Sequence, residues 1–169
     1  MPNLLKFGIL TVSDRSSRGE RPDLSGPALV DVVHAQGWEV ILSETIPDEL
    51  ELIRSRLILW ADGSNMDVIL ATGGTGFAPR DVTPEATRAV VERLTPGLDE
   101  AMRAASLVIT PHAMLSRATS GIRGHTLIIN LPGSPKGAVE NLQVIVPVLG
   151  HAIQLLRDDP TGERGHLAS

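Results

Sequence analysis

A glycine-rich turn is the feature of the sequence that most directly suggests chemistry. Gly73-Gly74-Thr75-Gly76 directly follows an apolar run, and a helix start lies seven residues further on. Glycines at such a place let backbone N–H groups approach an anion closely, as in the nests that bind phosphate. The alternative is a tight turn that needs positive φ angles. Three glycines in four residues favour anion binding, although the third glycine of a dinucleotide fingerprint and the P-loop pattern G-x-x-x-x-G-K-[ST] are both missing.

Two acidic residues could place a metal ion beside this turn. Asp81 closely follows the glycines, and its alternative role is that of an Asx-turn acceptor before a helix cap at Thr83. Asp48, with Glu51 three residues on, fits a capping box, and spacing alone favours that structural role. Two carboxylates from different loops near a phosphate cradle would nonetheless suit Mg²⁺, which prefers one or two carboxylates together with substrate phosphate oxygens.

Other loops carry polar residues that could bind a ligand or satisfy turn backbone equally well. Ser13 and Asp14 end the first apolar run, and Ser116 lies just before a later one. Lys136 follows the tight loop Pro132-Gly133-Ser134-Pro135 at a predicted helix start, where a cation opposes the helix dipole. A bound phosphate would reverse that unfavourable interaction.

Composition excludes several classes of protein. The net charge of −5 leaves no basic excess for a general nucleic-acid binder. Two Phe, two Trp and no Tyr argue against domains that stack bases on aromatic rings, and the absence of Cys removes disulfides and thiolate chemistry. The five histidines show no zinc-ligand spacing, and no G-x-S-x-G elbow supports a Ser-His-Asp triad. We find no signal-peptide pattern and no run of about 20 apolar residues, and expect a cytoplasmic protein without a membrane span.

The hydrophobic pattern predicts an α/β domain with a mainly parallel sheet and helices on both faces. Strands are predicted over residues 4–12, 38–45, 67–72, 117–121 and 125–131, and the last two could form a hairpin. Helices are predicted from Ser25 as N-cap to a C′ glycine at Gly37, then over 50–61 and 83–93, after an interruption at Pro96-Gly97 through Leu107, and over 136–157.

Four polar loops each follow a predicted strand. They cover residues 13–25, 47–49, 73–81 and 132–136. Because ligands of such sheets bind outside the carboxyl ends of the strands, we expect these loops to meet at one edge and form the site. Residues 1–157 are predicted to form one domain, and residues 158–169 a mobile tail.

Several of these segments match a known family in order. They are LTVSD at residues 10–14, TGGTG at 72–76, PRDVTPEAT at 79–87, AMLSR at 113–117, GIRG at 121–124 and LPGSP at 131–135. Together they resemble the molybdopterin adenylyltransferase family, which is MogA/MoaB-like and includes the G domains of gephyrin and its plant counterpart. The resemblance covers roughly residues 5–157.

The resemblance implies a three-layer αβα sandwich that assembles as a homotrimer. It implies Mg²⁺-dependent transfer of AMP from ATP to the terminal phosphate of molybdopterin, with release of pyrophosphate, and a possible molybdate-insertion protein as partner. Asp48 and Asp81 would serve Mg²⁺ and catalysis, and the glycine turn would hold the nucleotide phosphates. The pterin and phosphate end would be lined by Ser13, Asp14, Ser116, Pro132, Gly133, Ser134 and Lys136. The alternatives are a relative acting on another phosphorylated pterin or nucleotide, and a paralogue that binds or scaffolds molybdopterin without adenylylating it.

Overall fold

The computed structural model describes residues 4–63 and 65–157. Within these ranges six strands form one sheet: β1 (Lys6–Val12), β2 (Glu39–Ile46), β3 (Val68–Thr72), β4 (Arg93–Leu94), β5 (Ser120–Arg123) and β6 (Thr126–Leu131). The strand order is β2-β1-β3-β6-β5-β4. The first four strands in that order are parallel, whereas β5 is antiparallel to β6 and β4 is antiparallel to β5. The prediction of a mainly parallel sheet is therefore confirmed.

Helices cover both faces of the sheet. They are α1 (Asp14–Ser17), α2 (Ser25–Ala35), α3 (Leu50–Gly63), α4 (Thr83–Val90), α5 (Pro96–Ile109) and α6 (Pro135–Leu156), with a 3₁₀ helix at Pro111–Leu115 between the last two. One apolar cluster lies between the sheet and α2, α5 and α6, and a second lies between the sheet and α3 and α4. This arrangement is the three-layer αβα sandwich.

Strand β1 shows why the central strands read as continuous apolar runs. Phe7 and Ile9 lie in the cluster under α2 and α6, whereas Leu10 and Val12 lie in the cluster under α3 and α4. Successive side chains of a strand point to opposite faces, and both faces of this strand are covered by helices. The segment therefore carries no polar alternation, and this pattern identifies it as an interior strand.

Several predicted boundaries are wrong. Ser25 is the first residue of α2 and not its N-cap, because its hydroxyl donates to the Gly133 carbonyl at 2.6 Å. Thr83 likewise begins α4 without capping it. The predicted helix over 83–93 ends at Val90, and Arg93 pairs with Ile122 of β5. The hairpin prediction is confirmed, although β5 begins at Ser120 and not at residue 117.

Two further predictions concern the C-terminal part of the chain. Helix α6 is long and apolar enough to cross a membrane by length and composition alone. This is weak evidence for a membrane span, because the helix face formed by Leu142, Ile145 and Leu149 belongs to the core. The tail predicted over residues 158–169 lies outside the described residues.

Candidate active site

The loops that follow β1, β2, β3 and β6 meet at one edge of the sheet. The four strands are parallel neighbours, and their last residues pair in register, with Val12 opposite Ile46 and Thr72 opposite Leu131. The Ser13 N–H donates to the Ile46 carbonyl at 2.9 Å, and the Gly73 N–H donates to the Leu131 carbonyl at 3.1 Å. The convergence expected from the order of strands and helices is therefore present.

Two clefts open at this edge. The first, which we call the acidic cleft, has a volume of about 590 Å³ and contains the predicted site residues Ser13, Asp14, Asp48, Gly73, Gly74, Asp81, Gly133 and Ser134. The second, which we call the apolar cleft, has a volume of about 300 Å³ and contains Thr75, Gly76, Ser116, Pro132 and Ser134. Met102, Ile109 and Leu115 form part of its aliphatic wall. The glycine turn thus separates the clefts, and Ser134 borders both.

The first two positions of the glycine turn have no room for a side chain. Gly73 and Gly74 have φ angles of 99° and 66°, in the left-handed region. A Cβ on Gly73 would collide with the Val12 carbonyl oxygen, and a Cβ on Gly74 would collide with Thr83 Oγ1 and lie 2.9 Å from Asp48 Oδ1. The interpretation as a turn with positive φ is therefore correct, and the same backbone forms the floor between the two clefts.

Asp48 is held by the loop after β1 and does not act as a helix cap. Its Oδ2 accepts a hydrogen bond from the Asp14 N–H at 2.8 Å, and its own N–H donates to Asp14 Oδ1 at 3.0 Å. Burial raises the pKa of the Asp48 carboxyl above its ordinary value, and the negative charges of Asp14 and Asp81 raise it further. The capping-box interpretation favoured by spacing is wrong, because α3 begins at Leu50, two residues after Asp48, and the Asp48 carboxylate accepts from the Asp14 N–H and borders the acidic cleft.

Asp81 combines a turn role with a place in the acidic cleft. Its Oδ2 accepts from the Ala78 N–H at 3.0 Å, and its N–H donates to the Ala78 carbonyl at 2.9 Å. The predicted turn contact thus points backwards to residue 78 and not forwards to the helix. A Cβ on Gly76 would lie 3.0 Å from the same Oδ2, so the last glycine of the turn makes room for this carboxylate.

The loop after β6 packs directly onto the glycine turn. The Thr72 hydroxyl donates to the Pro132 carbonyl at 2.6 Å, and a Cβ on Gly133 would lie 3.3 Å from the Gly73 α-carbon. Ser134 caps α6, since its hydroxyl accepts from the Gly137 N–H at 3.1 Å. Lys136 lies apart from both clefts: its side chain is 81% exposed and its Nζ lies 3.8 Å from Glu140 Oε1.

Ser116 lies in the wall of the apolar cleft, on a segment fixed by α5. Arg103 donates to the carbonyls of Ser116 and Ala118 at 3.3 and 3.0 Å. Asp99, one turn earlier on α5, accepts from the Ser120 N–H at 3.0 Å. Burial raises the pKa of the Asp99 carboxyl.

Two arginines organise the site, and the sequence did not predict this role for them. Arg117 donates to the carbonyls of Gly76 and Asp81, each at 2.7 Å, and pairs with Glu85. Arg80 donates to Asp14 at 2.7 Å. The signal that could have found them is that each arginine adjoins a predicted site residue, Arg80 beside Asp81 and Arg117 beside Ser116.

The chemistry of the described residues suits a charged substrate. The acidic cleft holds Asp14, Asp48 and Asp81, together with Arg15 and Arg21. No group of three or more His, Cys, Asp or Glu residues that could by itself enclose a metal ion occurs between residues 4–63 and 65–157. A cation bound in the acidic cleft could take further oxygen ligands from a substrate or from water.

Comparison with known proteins identifies the family. Residues 8–151 match the family model described as a probable molybdopterin binding domain. The molybdopterin adenylyltransferase of Helicobacter pylori strain J99 is 42% identical over 158 residues, which cover 90% of this chain and 88% of that protein. The solved structure of the molybdopterin biosynthesis enzyme MoaB from Thermus thermophilus is 52% identical, covers 93% of this chain and 99% of its own, and gives a TM-score of 0.87.

A longer relative shares the same region. Gephyrin of Dictyostelium discoideum is 45% identical over 163 residues, which cover 90% of this chain, but the chain spans only 23% of the length of that protein. The family match, the bacterial relative and the solved structure all cover nearly the whole of the chain. The chain therefore belongs to the MogA/MoaB-like family of molybdopterin-binding domains.

Proposed function

We propose that this protein acts in molybdenum cofactor biosynthesis as a molybdopterin adenylyltransferase, transferring AMP from ATP to the terminal phosphate of molybdopterin. Relatives named for that activity align over about nine-tenths of the chain. The structural observation that carries the proposal is the pair Asp48 and Asp81, which border the same cleft as Gly74.

Two clefts that share a wall suit a reaction between two large substrates. One substrate in each cleft would bring their phosphates together at the glycine turn and at Ser134, which borders both. This arrangement divides the residues expected at the pterin end, since Ser13 and Asp14 lie in the acidic cleft and Ser116 in the apolar cleft. The aliphatic wall of the apolar cleft supports binding of a flat ring without aromatic stacking.

The donor set fits Mg²⁺. Two carboxylates, of Asp48 and Asp81, flank a turn in which Gly74 and Gly76 leave the space that side chains would fill. Mg²⁺ is commonly held by one or two carboxylates together with substrate phosphate oxygens. When bound between these residues, the ion would neutralise charge on the phosphates of ATP.

The chain's own residues have little covalent chemistry to perform. A terminal phosphate oxygen of molybdopterin attacks the α-phosphorus of ATP, a new P–O bond forms, and the bond from the α-phosphorus to the bridging oxygen breaks, so that pyrophosphate leaves. The attacking oxygen is already deprotonated near pH 7, so no strong general base is needed. Backbone N–H groups of the glycine turn beyond Gly73, whose own N–H donates to the Leu131 carbonyl, would bind the phosphates, and Asp48 and Asp81 would hold a cation that neutralises them.

The wider setting of the reaction is part of the same proposal. On the basis of the family resemblance we infer a homotrimer that passes its product to a molybdate-insertion protein. The cytoplasm is the expected location because the sequence shows no targeting pattern. The second candidate function is a module that holds molybdopterin without adenylylating it. The acid pair beside the glycine turn favours the enzyme over this alternative.

The test is a turnover assay with molybdopterin, ATP and Mg²⁺ that measures pyrophosphate. We expect release that requires all three components, and that stops when a simple phosphate ester replaces molybdopterin. Release with other phosphorylated pterins and not with molybdopterin would assign a different substrate. Binding of molybdopterin without any release would assign the scaffold.

A further inference from the structure

Arg80 connects three of the loops at the carboxyl edge of the sheet. Its Nε donates to Asp14 Oδ2 at 2.7 Å, and its Nη2 donates to Asp14 Oδ1 at 3.0 Å. The same Nη2 donates to Glu49 Oε1 at 3.1 Å. Arg80 belongs to the loop after β3, Asp14 follows β1 and Glu49 follows β2. One guanidinium therefore spans the ends of three strands.

Arg80 reaches the acidic cleft only through Asp14. Asp14 and Asp48 both border that cleft and hold each other by the reciprocal hydrogen bonds described above, whereas Arg80 is absent from the cleft wall among the described residues. Because Arg80 donates to both carboxylate oxygens of Asp14, it fixes the loop whose Asp14 N–H donates to Asp48. Arg80 therefore contacts a carboxylate of the acidic cleft, that of Asp14, without bordering the cleft itself.

The turn that carries Arg80 is itself fixed. Ala78 and Asp81 exchange two hydrogen bonds, and Arg117 donates to the Asp81 carbonyl at 2.7 Å. The adjacent residues Arg80 and Asp81 therefore have different roles. The Arg80 guanidinium binds Asp14 and Glu49, whereas Asp81 borders the acidic cleft.

Repulsion between carboxylates explains why the contact between Arg80 and Asp14 matters. Asp14, Asp48 and Asp81 bring three carboxylates to the acidic cleft, and the negative charges of Asp14 and Asp81 repel that of Asp48. Because Arg80 donates to both carboxylate oxygens of Asp14, we expect its loss to let that carboxylate turn from Asp48 towards water. We propose that Arg80 is a positioning residue for the transfer, which sets the orientation of Asp48 by holding Asp14. The role of Asp48 in this statement rests on the proposed function.

Amide hydrogen exchange of the protein without ATP or Mg²⁺ tests the positioning itself. Arg80→Ala is expected to raise the exchange rates of the Asp14 and Asp48 amides by about tenfold or more, relative to the amide of Leu70 in β3. Arg80→Lys keeps the charge but cannot grip two oxygens of Asp14 and also reach Glu49, so we expect most of the same increase. The control is Arg54→Ala, which removes a surface pair with Glu51 and is expected to change neither amide. Unchanged protection in Arg80→Ala would overturn the proposal.

Kinetics then separate positioning from direct binding. We expect Arg80→Ala to lower kcat by about tenfold or more, because small misplacements of a reacting group are costly, with the KM for ATP changed by less than about threefold. In the Asp14→Asn background the same substitution should add no further loss. A raised KM with kcat unchanged, or losses that multiply, would overturn the proposal. If the wild-type protein releases no pyrophosphate, the proposed function fails, while the exchange measurement still decides the role of Arg80.

Discussion

Asp14 and Asp48 each donate a backbone N–H to the carboxylate of the other, at 2.8 and 3.0 Å. The pair joins the loops after β1 and β2 and places two carboxylates in one cleft. Their environments differ, because the hydrogen bond from Arg80 lowers the pKa of Asp14, whereas burial raises the pKa of Asp48. The two carboxyls therefore affect stability in opposite directions.

Asp48→Asn is expected to stabilise the protein at pH 7 in the absence of Mg²⁺. The folded-state pKa of Asp48 lies above its ordinary value of 3.8, so the folded protein binds more protons between those two values, and the free energy of unfolding falls as pH rises through that interval. Asparagine still accepts from the Asp14 N–H and removes the charge. Thermal unfolding should therefore show a higher Tm for Asp48→Asn than for the wild-type protein.

The matched variant is Asp14→Asn, for which the sign reverses. The pKa of Asp14 is lowered, so its ionised form stabilises the fold above pH 3.8, and that contribution is lost as pH falls through the folded-state pKa. We expect Asp14→Asn to lower Tm at pH 7. A fall in Tm for Asp48→Asn would contradict the conclusion that partial burial disfavours its ionised form.

Asp81→Asn is expected to fold normally and to lose transfer activity. The asparagine oxygen can still accept from the Ala78 N–H, so the turn should persist, but the charge that would hold the cation is gone. Pyrophosphate release should fall by about a hundredfold or more, since even residues that only support a metal ligand contribute tenfold to a hundredfold. Asp31→Asn, an exposed substitution on α2 away from the acidic cleft, is the control. Near wild-type release from Asp81→Asn would remove this residue from the site.

Gly74→Ala is expected to damage both the fold and the site. Alanine at this position would have to adopt the positive φ of Gly74, and its methyl group would collide with Thr83 Oγ1 beside Asp48. We expect a loss of more than about 1 kcal/mol in the free energy of unfolding, measured with urea. Gly150→Ala in α6 meets nothing within 4 Å and should stabilise the protein by about 0.5–1 kcal/mol. Equal stability of the two variants would show that the turn has room for a side chain.

Two threonines on α4 give a matched pair for the buried hydroxyls. Thr83 and Thr87 are both fully buried, but no described residue pairs with Thr83 Oγ1, whereas Thr87 Oγ1 accepts from Asn130 Nδ2 at 2.8 Å. Thr87→Val leaves that amide without its acceptor and should lower the free energy of unfolding by about 1–3 kcal/mol, while Thr83→Val should leave it unchanged or raise it. A large loss in Thr83→Val, measured by urea unfolding, would show that its hydroxyl is paired in solution.

The sequence predicted those parts of the fold that depend on hydrophobic periodicity. Residues 4–12 and 67–72 were correctly identified as interior strands because both of their faces are buried. Arg93 was misassigned to a helix, since the two-residue edge strand to which it belongs has no periodicity of its own and is defined by its partner β5. Ser25 was misassigned as a cap because its acceptor, the Gly133 carbonyl, lies 108 residues away.

The prediction of the site was limited in the same way, because contacts between residues far apart in the sequence leave no local pattern. The order of strands and helices predicted which loops would meet, because parallel strands bring their carboxyl ends to one edge. It could not show that Asp48 turns towards Asp14, since a capping box has the same spacing. Nor could it show that Lys136 lies outside both clefts, or that Arg80 holds Asp14 across 66 residues. Such contacts depend on tertiary placement.

The most direct test of the account is mass spectrometry of molybdopterin after incubation with the wild-type protein, ATP and Mg²⁺. The proposed function predicts a product heavier than molybdopterin by one adenylyl group, formed together with one pyrophosphate per molecule. Recovery of bound but unmodified molybdopterin, with ATP intact, would contradict it and assign the chain to binding without transfer.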